Sequence, residues 1–132
     1  PKVEGVYKLV AVERDGQMRP TMKLSKGKVT YPNAKSVLRI EEDGWYTEDI
    51  IGLRKQEFSG EDLLRTVIEG GNRVADLPDL DTIRTTAREQ RRKLPEEHRR
   101  IEHPETYDVT ISDTLQTKTD ELRASLERGH DK

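Results

Sequence analysis

An Asp-Gly pair flanked by strand-forming residues constrains this chain more than any other local feature. Asp15-Gly16 lies inside GVYKLVAVERDGQMRPTMKLS, from Gly5 to Ser25. Gly tolerates the positive φ that a two-residue hairpin turn requires, and Asp-Gly is a strong hairpin signal. Val6, Leu9, Val10 and Val12 give the first strand its apolar bulk; Met18, Met22 and Leu24 continue it on the return. Pro20 has no N–H to donate, so the return strand is expected at an edge or with a bulge.

The same grammar continues downstream. Lys26-Gly27-Lys28 reads as a polar turn and Val29–Tyr31 as a short strand stopped by Pro32-Asn33. Ser36–Glu41 alternates, with Val37 and Arg39 on one face and Leu38 and Ile40 on the other. Asp43-Gly44 is a second hairpin turn, returning as Trp45–Leu53, in which Trp45 is expected to be a packing anchor. Together these strands predict an antiparallel meander over residues 1–53. A polar connector, Lys55–Gly60, leads to a further strand, Leu63–Ile68, broken by Gly70-Gly71-Asn72 and followed by an extended loop, Arg73–Pro78.

At Leu80 the pattern changes to helical spacing. Leu80, Ile83, Ala87 and Leu94 share one face, Asp79 is positioned as N-cap, and Pro95 ends the helix near Leu94. Pro95-Glu96-Glu97 can open a short helical turn, and His103-Pro104 marks another break. Tyr107–Ser112 alternates as a strand. Ser112 or Asp113 can then cap a C-terminal helix carrying Leu115, Leu122 and Leu126 on one face, stopped at Gly129, with a frayed tail beyond. The expected fold class is α+β: an antiparallel β-rich N-terminal half, a central helix, a returning strand and a C-terminal helix. Residues 1–132 are read as a single domain or fragment, with 1–53 as the meander and 54–132 as mixed helix and strand.

Composition bears on what such a fold can bury. Apolar residues are 31% and charged residues 38% of the 132, against averages of about 45–50% and about 25% in soluble domains. With patterns this regular, the shortage of core-forming residues points to a piece that packs on a larger body. The chain begins at Pro1 and reaches a strand almost at once, which fits an excised or processed piece of a longer polypeptide. Net charge is −2, from 24 basic and 26 acidic residues, so there is no global attraction to nucleic acid or anionic membrane. The absence of Cys removes disulfide and thiolate–zinc chemistry. No run approaches the ~20 apolar residues that span a bilayer.

Chemistry-bearing constellations are sparse. Gly70-Gly71 lacks the strand–loop–helix context of a phosphate cradle and reads as a strand terminator. His98 and His103 lie five apart across a proline break and share no helix face, so surface or packing roles are expected rather than metal binding. Asp79/Asp81 and Glu41/Glu42/Asp43 lie in caps and turns. The densest basic region is Arg84, Arg88, Arg91, Arg92, Lys93, Arg99 and Arg100. It could serve phosphate or nucleic acid, or be a solvated or interface surface. Glu89, Glu96, Glu97 and Glu102 dilute its field, and no aromatics interleave for base stacking, so interface or structural use is preferred.

Taken in order, GVYKLV (Gly5–Val10), MKLS (Met22–Ser25), KVTYPNAKSVLR (Lys28–Arg39), LLRTVIEGG (Leu63–Gly71), LPEEHRRIEHPETYDVTIS (Leu94–Ser112) and the Leu115–Leu126 helix resemble the C-terminal region of the nicotinate phosphoribosyltransferases. The chain departs from that pattern at Asn33, where the family usually has Gly; Asn also tolerates positive φ. It also has a single Gly before Val6, where two are common. The resemblance implies a parent enzyme that joins nicotinate to phosphoribosyl pyrophosphate, giving nicotinate mononucleotide and pyrophosphate for NAD salvage. ATP hydrolysis assists through a phosphorylated His, and the parent is implied to use Mg²⁺. It places the groups that bind these species upstream of Gly5. No catalytic residue, cofactor or metal ligand is therefore expected in this chain, which would be inactive in isolation. Tyr7 and Lys8, on the strand leaving the catalytic barrel, are candidates for a substrate-adjacent supporting role. Arg88, Arg91, Arg92, Arg99 and Arg100 are candidates for phosphate or interface contacts. The implied partners are the N-terminal domain and barrel of the parent, and a second copy in a homodimer. A cytoplasmic location is expected, without membrane or nucleic-acid partners. The alternative is a stand-alone module binding phosphate or nucleic acid through the Arg84–Arg100 surface.

Overall fold

The computed structural model describes residues 5, 7–25, 27, 29–54, 56 and 59–130. Its elements are β1 (Ala11–Arg14), β2 (Gln17–Pro20), β3 (Lys35–Glu42), β4 (Trp45–Leu53), β5 (Glu61–Asp62), β6 (Ile68–Glu69), β7 (Asn72–Arg73), α1 (Leu80–Arg92), α2 (Glu96–Arg99), β8 (Asp108–Ile111) and α3 (Asp113–His130). This is the α+β arrangement expected. The chain divides into two compact units: Pro1–Lys35 with Gly52–Gln56 and Ile111–Lys132, and Ser36–Ile51 with Glu57–Thr110.

Three two-residue turns organise the strands. Asp15 and Gly16 have φ of 53° and 72°, Asp43 and Gly44 51° and 85°, Gly70 and Gly71 55° and 80°. Positive φ at both central positions is the type I′ geometry, whose twist matches that of the flanking strands. The third turn is a correction. Gly70-Gly71 does not merely stop a strand; it joins β6 to β7, pairing Glu69 with Asn72 and Ile68 with Arg73. Of the expected strand Leu63–Ile68, only Ile68 lies in a strand, as the first residue of β6; Leu63–Val67 are irregular. Asp62 Oδ1 accepts a hydrogen bond from Leu64 N at 2.9 Å, a local bond that competes with continued ladder pairing. Val74 N donates to Val67 O at 2.8 Å, extending the new hairpin instead.

In the first unit, β1 and β2 pair from Arg14↔Gln17 to Ala11↔Pro20. Pro20 closes an edge strand, where its missing N–H leaves no ladder bond unmade. The strand expected from Val6 begins only at Ala11; Val6 itself lies outside the described residues. Val10 O accepts from both Thr21 N (3.0 Å) and Asn33 N (2.9 Å), and Tyr7–Leu9 beyond it have no ladder partner. Val29–Tyr31 is not a strand either. Thr30 Oγ1 accepts from Lys23 N at 3.0 Å. Lys35 Nζ donates to Tyr31 O and Asn33 O, both at 2.7 Å. Side chains thus satisfy groups that a ladder would otherwise pair. Burial holds the Lys35 ammonium below the usual lysine range. Asn33 takes a φ of 68°, and the adjoining Pro32 is fully buried. Gly27, at φ 75°, lies in the expected polar turn; Lys26 and Lys28 lie outside the described residues.

The core of this unit forms around α3. Ser112 is its cap: Ser112 Oγ accepts from Leu115 N at 3.3 Å and Ser112 O from Gln116 N at 2.9 Å. Leu115 is 0% exposed and Thr119, one turn on, is 1% exposed. Thr119 Oγ1 donates to Leu115 O at 2.6 Å, satisfying the hydroxyl inside the core. Gln56 ties the helix start to the end of β4, accepting from Ser112 Oγ and Leu53 N at 3.3 Å each and donating to Thr114 Oγ1 at 3.0 Å. The helix passes the expected stop at Gly129 and reaches His130. The expected fraying beyond it lies outside the described residues.

The second unit is built on a four-stranded sheet ordered β5-β3-β4-β8. The meander expected over residues 1–53 is therefore two separate sheets, with β1-β2 apart from β3-β4. On β3, Ser36 and Leu38 alternate inward at 5% and 7% exposure. The anchor of β4 is Tyr46, at 3% exposure; Trp45, expected in that role, is 46% exposed. The side chain directly after the turn points outward and its neighbour inward, as the pleat requires. The β5–β3 edge comes close at Gly60, φ 146°. A Cβ there would lie 3.0 Å from Arg39 O, a backbone atom that cannot easily give way. Of the connector Lys55–Gly60, residues 55, 57 and 58 lie outside the described residues. Asp79 caps α1, its Oδ1 accepting from Thr82 N at 2.7 Å.

Candidate functional site

Arg39 on β3 and Asp49 on β4 form the densest polar arrangement in the second unit. The guanidinium grips the carboxylate with two bonds, Nε to Oδ1 and Nη2 to Oδ2, both 2.8 Å. Such a fork is among the strongest charge-assisted pairings. Asp49 is 8% exposed and also accepts from Tyr107 Oη at 3.3 Å. The guanidinium carbon lies 4.8 Å from the centroid of the Tyr46 ring, and Lys93 Nζ lies 5.5 Å from the same centroid. Both are within cation–π range. Lys93, at the C-terminal end of α1, also binds Glu41 Oε2 at 2.7 Å, and its carbonyl accepts from Tyr46 N at 2.8 Å. The helix end is thus tied to β3 by a side-chain bond and to β4 by a backbone bond.

His98 on α2 meets the edge of the Tyr107 ring at 5.5 Å, with planes 88° apart. Its Nδ1 is 3.1 Å from Glu105 O, a contact that a protonated Nδ1 makes as donor. Asp49 holds the Arg39 guanidinium charged well above its ordinary range. Burial, and then the charge of Asp49, pushes the Tyr107 phenol up to about 12.

The Tyr107 shift has a measurable consequence. Its folded value lies above the ordinary 10.0, so the unfolded chain loses this proton first. The contribution is complete below pH about 10 and lost as pH rises toward about 12. Melting temperature followed from pH 9 to 12 should fall more steeply for the native chain than for Tyr107→Phe. Parallel curves would show that the phenol does not titrate between the two states.

The arrangement is chemically closed. The Asp49 carboxylate is occupied by Arg39 and Tyr107, and Lys93 is matched by Glu41. It braces β3, β4, α1 and the approach to β8 and leaves no free acid–base pair. Sequence reasoning did not find it, because Arg39 and Asp49 are ten residues apart and Tyr107 a further 58 from Asp49. The available signal was an Arg and an Asp inside the otherwise strand-forming segments SVLRIE and WYTEDIIGL.

The residues singled out from the sequence lie elsewhere. Tyr7 is 83% exposed and Lys8 is exposed, on the irregular segment before β1. Arg88, Arg91 and Arg92 are exposed on α1, with no ion-pair partner among the described residues. Arg84 pairs with Asp81 at 3.5 Å. Arg99 ends α2, with a buried Nε that has no hydrogen-bond partner among the described residues; Arg100 follows, exposed. The structure does not bring these arginines to the Arg39–Asp49 pair. In the first unit an open cavity of about 910 Å³ is lined by Met18, Pro20, Asn33, Leu53 and Leu122, with Arg54, Lys118 and Glu121 of mixed sign at its walls. Among the described residues no cluster of His, Asp and Glu could hold a metal ion, and no helix is long and apolar enough to cross a membrane.

Comparison with known proteins defines the class. Residues 51–119 match the profile of the nicotinate phosphoribosyltransferase C-terminal domain. The chain belongs to the nicotinate phosphoribosyltransferase family, as a C-terminal domain. It is 35% identical over 125 residues to a nicotinate phosphoribosyltransferase of Mycobacterium tuberculosis, covering 93% of this chain and 26% of that protein. It is 31% identical over 140 residues to the Bacillus subtilis enzyme, covering 86% of this chain and 29% of the relative. The crystal structure of human nicotinic acid phosphoribosyltransferase superposes with a TM-score of 0.73 at 30% identity, over 89% of this chain and 26% of the human one. The chain thus spans about a quarter of the length of these relatives.

Proposed function

We propose that this chain is the C-terminal structural and assembly portion of an enzyme that condenses nicotinate with phosphoribosyl pyrophosphate. The enzyme releases nicotinate mononucleotide and pyrophosphate with the assistance of ATP, in the cytoplasm, as an entry into NAD salvage. The observation that carries the reading is the domain match over residues 51–119. In this reading the remainder of the enzyme binds nicotinate, phosphoribosyl pyrophosphate, ATP and Mg²⁺. The present chain braces that remainder and supports a homodimer.

The site geometry supports a bracing role. Arg39 and Asp49 spend their charges on each other, Lys93 spends its charge on Glu41, and Tyr46 N bonds the Lys93 carbonyl, which suits a rigid support. Gly70-Gly71 is committed to a tight hairpin between β6 and β7 and is not a loop opening a helix. Tyr7 and Lys8, exposed before β1, are in this reading the candidates for a substrate-adjacent supporting role.

The test is direct. Purified residues 1–132, given nicotinate, phosphoribosyl pyrophosphate, ATP and Mg²⁺, should form no nicotinate mononucleotide, while the longer enzyme containing them should. Turnover by the isolated chain would overturn the non-catalytic assignment. A second reading, a free-standing anion-binding module, draws on the exposed Arg88, Arg91 and Arg92. It would be favoured by tight binding of RNA or polyphosphate with a steep salt dependence.

A further inference from the structure

The helix α1 is amphipathic, yet it buries nothing. Leu80, Ile83 and Ala87 recur at i, i+3 and i+7 on one face, but Leu80 is 59% and Ile83 50% exposed, and no residue of the helix is buried. Thirteen residues is too short for a helix to be stable on propensity alone; such helices depend on packing an apolar face. The helix is well capped at Asp79 and tied down at Lys93, so its exposed stripe is held in place. The segment leading into it adds Ile68 at 67%, Val74 at 53% and Leu77 at 67% exposure. Helical spacing sets Arg84, Arg88 and Arg91 along one edge of the stripe. Thr82, Thr86 and Gln90 line the other edge.

We infer that this α1 face docks on the remainder of the longer enzyme chain, against an apolar strip with an acidic edge opposite Arg84, Arg88 and Arg91. The inference rests on the reading of the chain as a transferase C-terminal domain. Three observations select this occupant over a second copy. The relatives carry roughly three quarters of their length outside the matched region, which supplies a partner tethered to every copy. The helix is about 20 Å long, so its stripe falls short of the ~800 Å² per partner typical of a stable bimolecular interface. A tether raises the effective concentration enough for a patch this small to stay closed. Antiparallel self-pairing of two such helices would set each arginine edge against its own copy, a like-charge juxtaposition that disfavours that dimer.

The experiment is amide hydrogen exchange over Thr82–Arg92, in residues 1–132 and in the full-length enzyme. Exchange is expected to be at least tenfold slower in the full-length enzyme. The difference should disappear in full-length Ile83→Asp, and shrink in Arg88→Glu/Arg91→Glu. Ile83 is half exposed, so its replacement should leave exchange around buried Tyr46 unchanged, which separates lost docking from unfolding. Equal exchange in both contexts, in an enzyme that makes nicotinate mononucleotide, would overturn the docking face alone. A full-length protein that makes no product would instead overturn the functional reading beneath it. Protection in isolated 1–132 that rises with protein concentration and vanishes in Ile83→Asp would overturn the inference in favour of a second copy. Protection conferred by RNA and lost with salt would overturn it in favour of nucleic acid.

Discussion

Leu115→Ala should lower the unfolding free energy of residues 1–132 by about 2–5 kcal/mol in urea melts followed by circular dichroism. Leu115 is the most deeply buried large side chain, at 0% exposure. Its position is over-determined: Ser112 Oγ accepts from its amide, and its carbonyl accepts from the equally buried Thr119 hydroxyl. The first turn of α3 therefore has little freedom to collapse into the space left by three lost carbons, and a cavity that cannot collapse is costly. Leu122→Ala, on the same helix but only partly buried, should cost clearly less. A Leu115→Ala loss below about 1 kcal/mol would mean that α3 is not the centre of the first unit's core.

The second large effect concerns Asp49. Replacing it by Leu leaves the Arg39 guanidinium, only 21% exposed at its side chain, without its carboxylate. It also removes an acceptor from Tyr107. Breaking one half of a largely buried pair should destabilise by about 3 kcal/mol, most of it the penalty of the stranded cation. The double variant Arg39→Met/Asp49→Leu should recover much of that loss, because no unpaired charge remains and apolar atoms fill the space. If the double variant is no better than Asp49→Leu alone, the pair acts through packing and not through charge matching.

Turn chemistry was the most legible part of the fold. Asp15-Gly16 and Asp43-Gly44 could be placed from the sequence because positive φ at two adjacent positions admits few residue pairs. Gly70-Gly71 meets the same requirement but was hidden by the β-branched run before it, which reads as one strand until the Asp62 side chain is known to bond Leu64 N. Trp45 and Tyr46 show the opposite weakness. Aromatic bulk marked that position, but only the pleat decides which of two adjacent rings faces inward. Val29–Tyr31 has strand-forming residues and no strand, because the Lys35 ammonium and the Thr30 hydroxyl satisfy groups that a neighbour would have paired. The α1 stripe was legible as periodicity, but periodicity cannot tell whether the covering surface belongs to the same segment. The Arg39–Asp49–Tyr107 brace was illegible because its members meet only when β3, β4 and the approach to β8 come together.

The strand order β5-β3-β4-β8 also sets an order of assembly. The β3–β4 hairpin closes across two residues, and hairpins of that kind form in about 1–10 μs. One flank of the pair is covered soon afterwards by Glu61–Asp62. The other flank of β4 waits for Asp108–Ile111, which follow much later in the sequence. During synthesis from the N-terminus, the Trp45–Leu53 edge stays bare while everything between Arg54 and Tyr107 emerges. A bare, apolar strand edge invites pairing with another nascent chain. Glu48 on that strand carries a charge of the kind that disfavours such pairing, and in the folded chain Thr110 donates its hydroxyl to it at 3.0 Å.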